Sequence, residues 1–216
     1  MEIYKKALNF SLVLILLVFP TSFTHSKSTP TSFADLAEKL MPSVVNIAST
    51  QTIKTTSNPF KNFEFPPGSP FEDMFKEFSR PTEREATSLG SGFIIDKKGI
   101  VVTNNHVIQG AEEIIVSVNG STEYKAKVIG TDPYMDLALL QIESNEKFKP
   151  VSFGDSDKSR VGDWVIAIGN PFGFGGSVTS GIISSRNRDI GLTRYDDFIQ
   201  TDASINVGNS GGPMFI

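Results

Sequence analysis

A serine enclosed by glycines near the end of the chain is the most informative chemical motif in the sequence. Ser210 lies in the hexapeptide Gly-Asn-Ser-Gly-Gly-Pro at 208–213. If Ser210 is a nucleophile, its backbone N–H and that of Gly208 point at one spot and form an oxyanion hole. Gly211 and Gly212 would then let a substrate backbone approach closely. The alternative interpretation is a flexible turn without chemistry.

The serine motif needs a base, and His106 is the best candidate for it. A serine hydroxyl is a weak nucleophile at neutral pH, and the neighbouring base that activates it is usually a histidine. The chain has two histidines, His25 and His106. His106 follows a β-branched run and two asparagines, which favour a bend. Cleavage of a signal peptide near Lys27 would remove His25 and leave His106 as a lone histidine. A lone histidine is often structural, but the serine motif independently requires this partner.

Asp136 is predicted to be the carboxylate that orients the histidine. Such a carboxylate fixes the tautomer of the imidazole and stabilises the imidazolium. Asp136 stands directly before the apolar run 137–140, which predicts a position at the rim of a core. Asp132 is the alternative, although Pro133 after it is typical of a turn.

The composition excludes most other kinds of site. The 216 residues include no cysteine, which excludes disulfides, thiolate metal sites and cysteine nucleophiles. With 20 basic and 24 acidic side chains and a net charge of −4, the chain lacks the basic surface that binds nucleic acid. We therefore predict no metal, no other cofactor and no nucleic-acid partner.

The first residues have the pattern of a signal peptide. Lys5 and Lys6 precede an apolar stretch at 7–19, which is shorter than the ~20 residues of a membrane-spanning helix. Small residues before Lys27 fit a cleavage site, so residues 1–26 are predicted to be removed on export. An uncleaved anchor is the alternative interpretation.

Short β-branched runs broken by turn residues carry these groups and indicate an all-β barrel or sandwich. Helical spacing of apolar residues predicts a single short helix at 31–41, stopped by Pro42. Asn119-Gly120 suits a type I′ hairpin, and Gly99 supplies the positive φ of a longer one. The predicted strands are 44–47, 93–95, 100–103, 114–118, 124–129, 137–142, 164–168 and 178–183.

A segment at 50–88 differs in character from these strands. Its prolines exclude a central strand, and phenylalanines crowd into 60–78, so we predict a long insertion. Phe71, Phe75 and Phe78 recur with helical spacing and would form an apolar stripe. The stripe either faces a partner or packs on the chain's own barrel.

Three blocks of this sequence resemble the signature motifs of HtrA/DegP-type serine proteases. The blocks stand in the order His, Asp, Ser of chymotrypsin-like enzymes. They are Thr-Asn-Asn-His-Val at 103–107, Asp-Leu-Ala-Leu at 136–139 and Gly-Asn-Ser-Gly-Gly-Pro at 208–213. The resemblance extends from about residue 33 to the last residue, with further matching blocks at 90–95, 167–173 and 200–203.

The resemblance implies a chymotrypsin-like fold of two perpendicular six-stranded β-barrels, with a triad of Ser210, His106 and Asp136 in the cleft. It implies an oxyanion hole at Gly208, Asn209 and Ser210, and ATP-independent cleavage of misfolded extracytoplasmic proteins in the periplasm, without a cofactor. The implied biology is protein quality control and stress response, with chaperone activity, assembly into trimers or their multiples, and peripheral contact with the membrane.

The resemblance also suggests roles for three loops. The segment 185–197, with Arg186, Arg188 and Arg194, is similar to a sensor loop that relays activator binding to the oxyanion hole; a solvated loop is the alternative. The phenylalanine-rich insertion is similar to a loop used in oligomer contacts and in shielding the active site. The segment 169–176 is similar to a specificity loop near the cleft.

These observations define an expected domain organisation. It comprises a signal peptide at 1–26, a helix and first strand at 27–49, the insertion at 50–88, a first barrel at 89–150 and a second barrel at 151–216. Members of the family continue with further strands and PDZ domains, so we expect a truncated second barrel and no PDZ domain here. The rival hypothesis is a catalytically silent barrel that binds unfolded chains through the insertion.

Overall fold

The computed structural model describes residues 30–55, 82–170 and 176–216 of the chain. The predicted signal peptide and the stripe of Phe71, Phe75 and Phe78 lie outside the described residues. Within the described ranges, no helix combines the length and the hydrophobicity needed to cross a membrane.

Six antiparallel strands close into a barrel. The strands are β1 (Val44–Thr55), β2 (Thr82–Ile94), β3 (Ile100–Asn104), β4 (Glu113–Val118), β5 (Thr122–Asp132) and β6 (Leu137–Ile142). Around the ring they follow the order β1-β2-β3-β6-β5-β4. Closure pairs both sides of each of these six strands, which removes unpaired sheet edges from this unit.

Branched aliphatic side chains fill the barrel and alternate with exposed ones along its strands. In β6, Ala138, Leu140 and Ile142 are buried, whereas Leu137 and Leu139 are exposed. This two-residue period is that of a strand with one face on a core. Burial of this apolar surface is the main force that holds the barrel together. The same core includes Val45, Ile47, Ile94, Val101 and Val116.

A second antiparallel sheet of four strands follows the barrel. Its strands are β7 (Trp164–Gly169), β8 (Ser177–Arg188), β9 (Phe198–Thr201) and β10 (Met214–Phe215). They are ordered β10-β7-β8-β9, so the sheet is open among the described residues. Its buried cluster consists of Val165, Ala167, Ile183 and Ala203.

Two short α-helices accompany the strands. Helix α1 (Ala34–Leu40) starts later than the predicted 31–41, and Pro42 does not end the helical path but continues it as a 3-10 turn, Met41–Ser43. Proline is tolerated in the first turn of a helix because the missing N–H has no partner there anyway. Helix α2 (Asn105–Ile108) follows β3 directly and includes His106.

The hairpin turns have the predicted chemistry. Asn119 and Gly120 have φ of 53° and 70°, both positive as a type I′ turn requires. The N–H of Ser121 closes this turn by donating to the C=O of Val118. Gly99 has a φ of 86°, which an L-residue rarely adopts. Both predicted hairpins are therefore confirmed.

All eight predicted strands are present, and the all-β class is confirmed. The sequence does not predict β9 or β10. Both are short, and β10 directly follows Gly-Gly-Pro, a context that is typical of a loop.

The ends of the predicted insertion and of the predicted first barrel differ from the structure. β1 continues to Thr55 and β2 begins at Thr82, and these two residues are paired, so the connection is shorter than 50–88. The closed barrel therefore starts at Val44 rather than at residue 89. The flanks of the insertion lack apolar alternation, but backbone hydrogen bonds pair them as a two-stranded ribbon regardless of side-chain type.

Neighbouring leucines of β6 test the assignment of inner and outer faces. Leu140→Ala should lower the free energy of unfolding by about 2–5 kcal/mol, because it empties space in a closed core. Leu139→Ala, on the exposed face, should cost about 1 kcal/mol or less. Urea unfolding followed by circular dichroism measures both, and equal losses would contradict this register.

Candidate active site

Two hydrogen bonds join Asp136 to His106. Asp136 Oδ2 lies 2.6 Å from Nδ1 of the imidazole ring, and Asp136 Oδ1 accepts the backbone N–H of His106 at 2.8 Å. With the carboxyl group ionised, Nδ1 is the nitrogen that carries the proton, which leaves Nε2 of the neutral ring as an acceptor. The carboxylate thus sets both the tautomer and the orientation of the ring.

Pairing of β3 with β6 brings these two residues together. Asn104, the last residue of β3, pairs with Leu137, the first residue of β6. The side chain of Asn104 and the N–H of Asn105 both donate to the C=O of Asp136, at 2.8 and 3.0 Å. Asp136 has a φ of 52°, a left-handed conformation that aspartate tolerates better than most residues.

Asp132, the alternative carboxylate, caps a turn instead. Its Oδ1 accepts the N–H groups of Tyr134 and Met135 at 2.9 and 3.1 Å, as expected of an aspartate that starts a turn. Of the two candidates, Asp136 is the one that contacts His106.

Ser210 lies in a tight loop between β9 and β10. Gly208 and Gly211 have φ of 91° and 84°, values that only glycine adopts without strain. The N–H of Gly212 donates to the C=O of Asn209 at 2.8 Å, and the N–H of Asn209 donates to the C=O of Asn206 at 3.1 Å. The loop is therefore closed by its own backbone.

Glycines seat this loop against the segment that carries the histidine. A Cβ on Gly211 would overlap the hydroxyl of Thr103. A Cβ on Gly90 would lie 2.7 Å from the side chain of Val107 and 3.2 Å from the C=O of Ser210. The serine and histidine thus stand on adjoining segments. No hydrogen bond joins the serine hydroxyl to the imidazole, two groups within the described residues; such bonds often tighten only in the complex with substrate.

The backbone of the loop leaves two N–H groups for an oxyanion hole. Among the described residues, the N–H groups of Gly208 and Ser210 have no acceptor. The N–H of Asn209 is instead taken by Asn206. The N–H groups of Gly208 and Ser210 thus have no acceptor among the described residues, whereas that of Asn209, the third residue that the resemblance implies, is already bonded.

A buried polar network beneath the loop is not predicted from the sequence. The hydroxyl of Ser91 donates to the C=O of Gly208 at 2.7 Å and accepts the N–H of Asn170 at 2.8 Å. The side chain of Asn46 donates to the C=O of Asn170 at 2.9 Å. One signal was present in the sequence: Asn46 is the lone polar residue in the apolar run 44–47, and a buried polar side chain needs partners.

The side chain of Asn209 is also buried, but neither of its polar atoms has a partner among the described residues. It packs over Gly169, where any Cβ would overlap its Oδ1. Gly169 is the last residue of β7, so this contact joins the Ser210 loop to the second sheet.

The three predicted sensor arginines have different surroundings. Arg186 and Arg188 lie on strand β8 rather than in a loop. Arg186 donates to the C=O of Asp157 at 3.3 Å, and Arg188 donates to the side chain of Gln200 on β9 at 3.0 Å. Arg194 is exposed in the following loop.

Asp196 organises the loop that contains Arg194. Its carboxylate accepts the N–H groups of Ile190, Leu192 and Thr193, and also the Thr193 hydroxyl. Burial raises the pKa of Asp196, but the hydrogen bonds, led by that from Leu192, outweigh it and hold the pKa below its ordinary value. The carboxylate is therefore charged at neutral pH, when it binds these donors most strongly.

The sequence profile of the trypsin-like peptidase domain matches residues 90–215. This range covers more than half of the chain and contains His106, Asp136 and Ser210. The chain therefore belongs to the trypsin-like peptidase family.

Within that family, the chain is similar to HtrA/DegP-type proteases. It is 46% identical over 210 residues to a probable periplasmic serine endoprotease DegP-like of Brucella suis biovar 1 (strain 1330), covering 85% of this chain and 41% of the relative. A protein of the same name from Marinomonas sp. (strain MWYL1) is 48% identical over 202 residues, covering 89% and 43%. The chain thus spans about two-fifths of the length of these curated relatives.

A solved structure agrees with the sequence matches. The HtrA-type protease AlgW with decapeptide is 38% identical and superposes with a TM-score of 0.65, covering 85% of this chain and 55% of that one. The resemblance to HtrA/DegP-type proteases and the chymotrypsin-like β-barrel fold are therefore confirmed.

Two positive-φ glycines test how closely the Ser210 loop is packed. A Cβ on Gly211 would overlap Ser91 and Thr103, whereas one on Gly162, with a φ of 93°, would meet no atom within 4 Å. Gly162→Ala should cost about 1–2 kcal/mol from the backbone conformation alone. Gly211→Ala should cost about 1–3 kcal/mol more because of the overlap. Urea unfolding of both variants checks this difference, and equal costs would contradict the close seating of the loop.

Proposed function

We propose that this chain is the catalytic part of an exported serine endopeptidase. The observation that carries the proposal is the pair of hydrogen bonds between Asp136 and His106. The glycine-rich Ser210 loop packs against the segment that contains His106. The family match and the names of the relatives support the same activity. No cofactor is needed, because the proposed groups supply nucleophile, base and oxyanion donors.

The proposed reaction is acyl transfer to Ser210 followed by hydrolysis. Ser210 Oγ attacks the peptide carbonyl while His106 Nε2 takes the hydroxyl proton. The N–H groups of Gly208 and Ser210 stabilise the oxyanion, and His106 then gives the proton to the leaving amine as the C–N bond breaks. Water, deprotonated by the same nitrogen, then attacks the acyl carbonyl, and the proton returns to Ser210 Oγ as the bond between Oγ and the acyl group breaks. Asp136 keeps Nδ1 protonated and stabilises the imidazolium.

We further propose that the substrates are misfolded proteins of the periplasm. The curated relatives are named periplasmic serine endoproteases, and the start of the chain has the sequence pattern of a signal peptide. Protein quality control, chaperone activity, stress response and homo-oligomeric assembly belong to the same proposal, which rests on the family resemblance. Extended, unfolded segments suit a site of this kind because they can pair with strand edges.

A fluorophosphonate probe tests the proposed nucleophile. The chain should react through Ser210 Oγ, which forms a bond to phosphorus as fluoride leaves, and Ser210→Ala should abolish labelling. Ser204→Ala is the matched control, because Ser204 is an exposed serine just before the same loop. Mass spectrometry identifies the labelled peptide. Labelling that survives Ser210→Ala would contradict the assignment of Ser210 as the nucleophile. Client binding without any cleavage would favour the silent binder.

The two candidate carboxylates give a second test. Asp136→Asn should lower kcat by about 10³- to 10⁴-fold, because an amide facing Nδ1 favours the wrong tautomer. Asp132→Asn should leave kcat within about twofold, since the amide oxygen can still accept the two N–H groups of its turn. Steady-state cleavage of fluorescein-labelled casein provides the comparison, and the reverse ranking would transfer the orienting role to Asp132.

A further inference from the structure

We propose that Ser91 is a positioning residue that fixes the backbone of the oxyanion hole. The inference rests on the proposed function, and it adds a residue outside the triad and the oxyanion hole. Ser91 lies on β2, outside the three sequence motifs of the proposed triad, and it is 0% exposed.

Ser91 makes four hydrogen bonds that join separate parts of the fold. Its hydroxyl donates to the C=O of Gly208 and accepts the N–H of Asn170. Its own N–H donates to the C=O of Ser210 at 2.8 Å. Its C=O accepts the hydroxyl of Thr103 at 2.7 Å. One residue thus contacts the nucleophile loop twice, the strand before the histidine once and the end of β7 once.

The hydroxyl bond to Gly208 sets the direction of one peptide group. In a planar trans peptide the C=O and the next N–H point in opposite directions. When the C=O of Gly208 points at Ser91, the N–H of Asn209 must point away from it, and there it donates to Asn206 at 3.1 Å. This orientation keeps the Asn209 N–H out of the oxyanion hole and leaves the N–H groups of Gly208 and Ser210 available.

Without this hydroxyl, the hydrogen bond from the N–H of Asn209 to Asn206 would hold that orientation without the second bond on the C=O side. Gly208 has no side chain and a φ of 91°, so the backbone on its own permits other orientations of the peptide. Removing the hydroxyl would also leave a buried C=O and a buried N–H unpaired, which is unfavourable. Rotation of the peptide group is the simplest way for the C=O to find another donor.

The backbone of Ser91 also relates the serine to the histidine. It binds Ser210 on one side and Thr103 on the other, and Thr103 lies three residues before His106 on the same strand-to-helix connection. Ser91 therefore fixes the distance between the Ser210 loop and the segment of the first barrel that leads to His106.

Kinetics of the fluorophosphonate reaction test this role in Ser91→Ala. The maximal rate of phosphonylation should fall about 10- to 100-fold, while the probe concentration that gives half of this rate should change less than about twofold, because oxyanion stabilisation is lost and binding is not. Ser159→Ala is the control. Ser159 is 5% exposed, and its hydroxyl donates to the C=O of Ser156 at 2.6 Å rather than to the loop 206–212, so the maximal rate should not change.

A second variant distinguishes the effect of losing the Ser91–Gly208 hydrogen bond from the effect of losing any hydrogen bond of the same network. Thr103→Val is nearly isosteric and removes the bond to the C=O of Ser91, but it leaves the Ser91–Gly208 bond in place. The maximal rate should stay within about threefold of wild type. A loss as large as that of Ser91→Ala would overturn the specific role of the hydroxyl. If Ser91→Ala does not fold, Ser91→Cys gives the same comparison, because a thiol is a weak donor.

Amide exchange gives a readout that does not depend on turnover. Hydrogen–deuterium exchange of the peptide 206–212 should be faster in Ser91→Ala than in wild type or Ser159→Ala, because the bond from Asn209 to Asn206 is released. Unchanged exchange would overturn the inference even if the enzyme is active. Failure of the wild-type chain to react with the probe would refute the proposed function instead, and the exchange experiment would still decide the role of Ser91.

Discussion

The two-point contact between Asp136 and His106 is the constraint on which the rest of the site depends. One carboxylate can bind both the ring and the backbone N–H of the same histidine only if the end of β3 and the start of β6 lie side by side. The left-handed backbone of Asp136 turns its C=O toward Asn104 and Asn105, which completes this junction. Closure of the first barrel fixes the two strands, so an apolar core determines the geometry of a polar pair.

Ser210 comes from a different part of the fold, and its approach depends on the absence of side chains. Gly90 and Gly211 lie where the loop meets the barrel, and a Cβ on either would overlap a neighbour. A Cβ on Gly212 would likewise overlap the C=O of Ile168 and would lie 3.0 Å from that of Asn209. Glycine is therefore required around the serine by the distance between two backbones as well as by φ. The same residues that make the hexapeptide look like a flexible turn let it pack tightly.

The sequence predicts the candidate catalytic residues better than it predicts the buried hydrogen bonds that position them. His106, Asp136 and Ser210 are recognisable because their residue types, neighbours and order along the chain together fit a catalytic triad, and the strands follow from β-branched runs between turn residues. The partners of Ser91 and Asn46 are not predictable in the same way. Ser91 lies 117 residues from Gly208, and Asn46 lies 124 from Asn170, so their hydrogen bonds exist only after the chain has folded. The β1–β2 ribbon is not predictable for a related reason. Its strands pair through backbone hydrogen bonds, which do not require an alternation of apolar and polar side chains.

Polar contacts align the barrel with the second sheet more strictly than apolar contacts would. Asn46 donates both to Gly90 on β2, at 3.3 Å, and to Asn170 after β7, at 2.9 Å, and Ser91 adds the bonds to Asn170 and Gly208. An apolar interface can slide by a fraction of an ångström at little cost, because the hydrophobic effect is not directional. Buried hydrogen bonds contribute only about 1 kcal/mol each when made, yet each unpaired group costs about 1–3 kcal/mol when the register slips. The network therefore contributes more to the uniqueness of the alignment than to stability, and a unique alignment is what the proposed nucleophile and base, which come from different sheets, require.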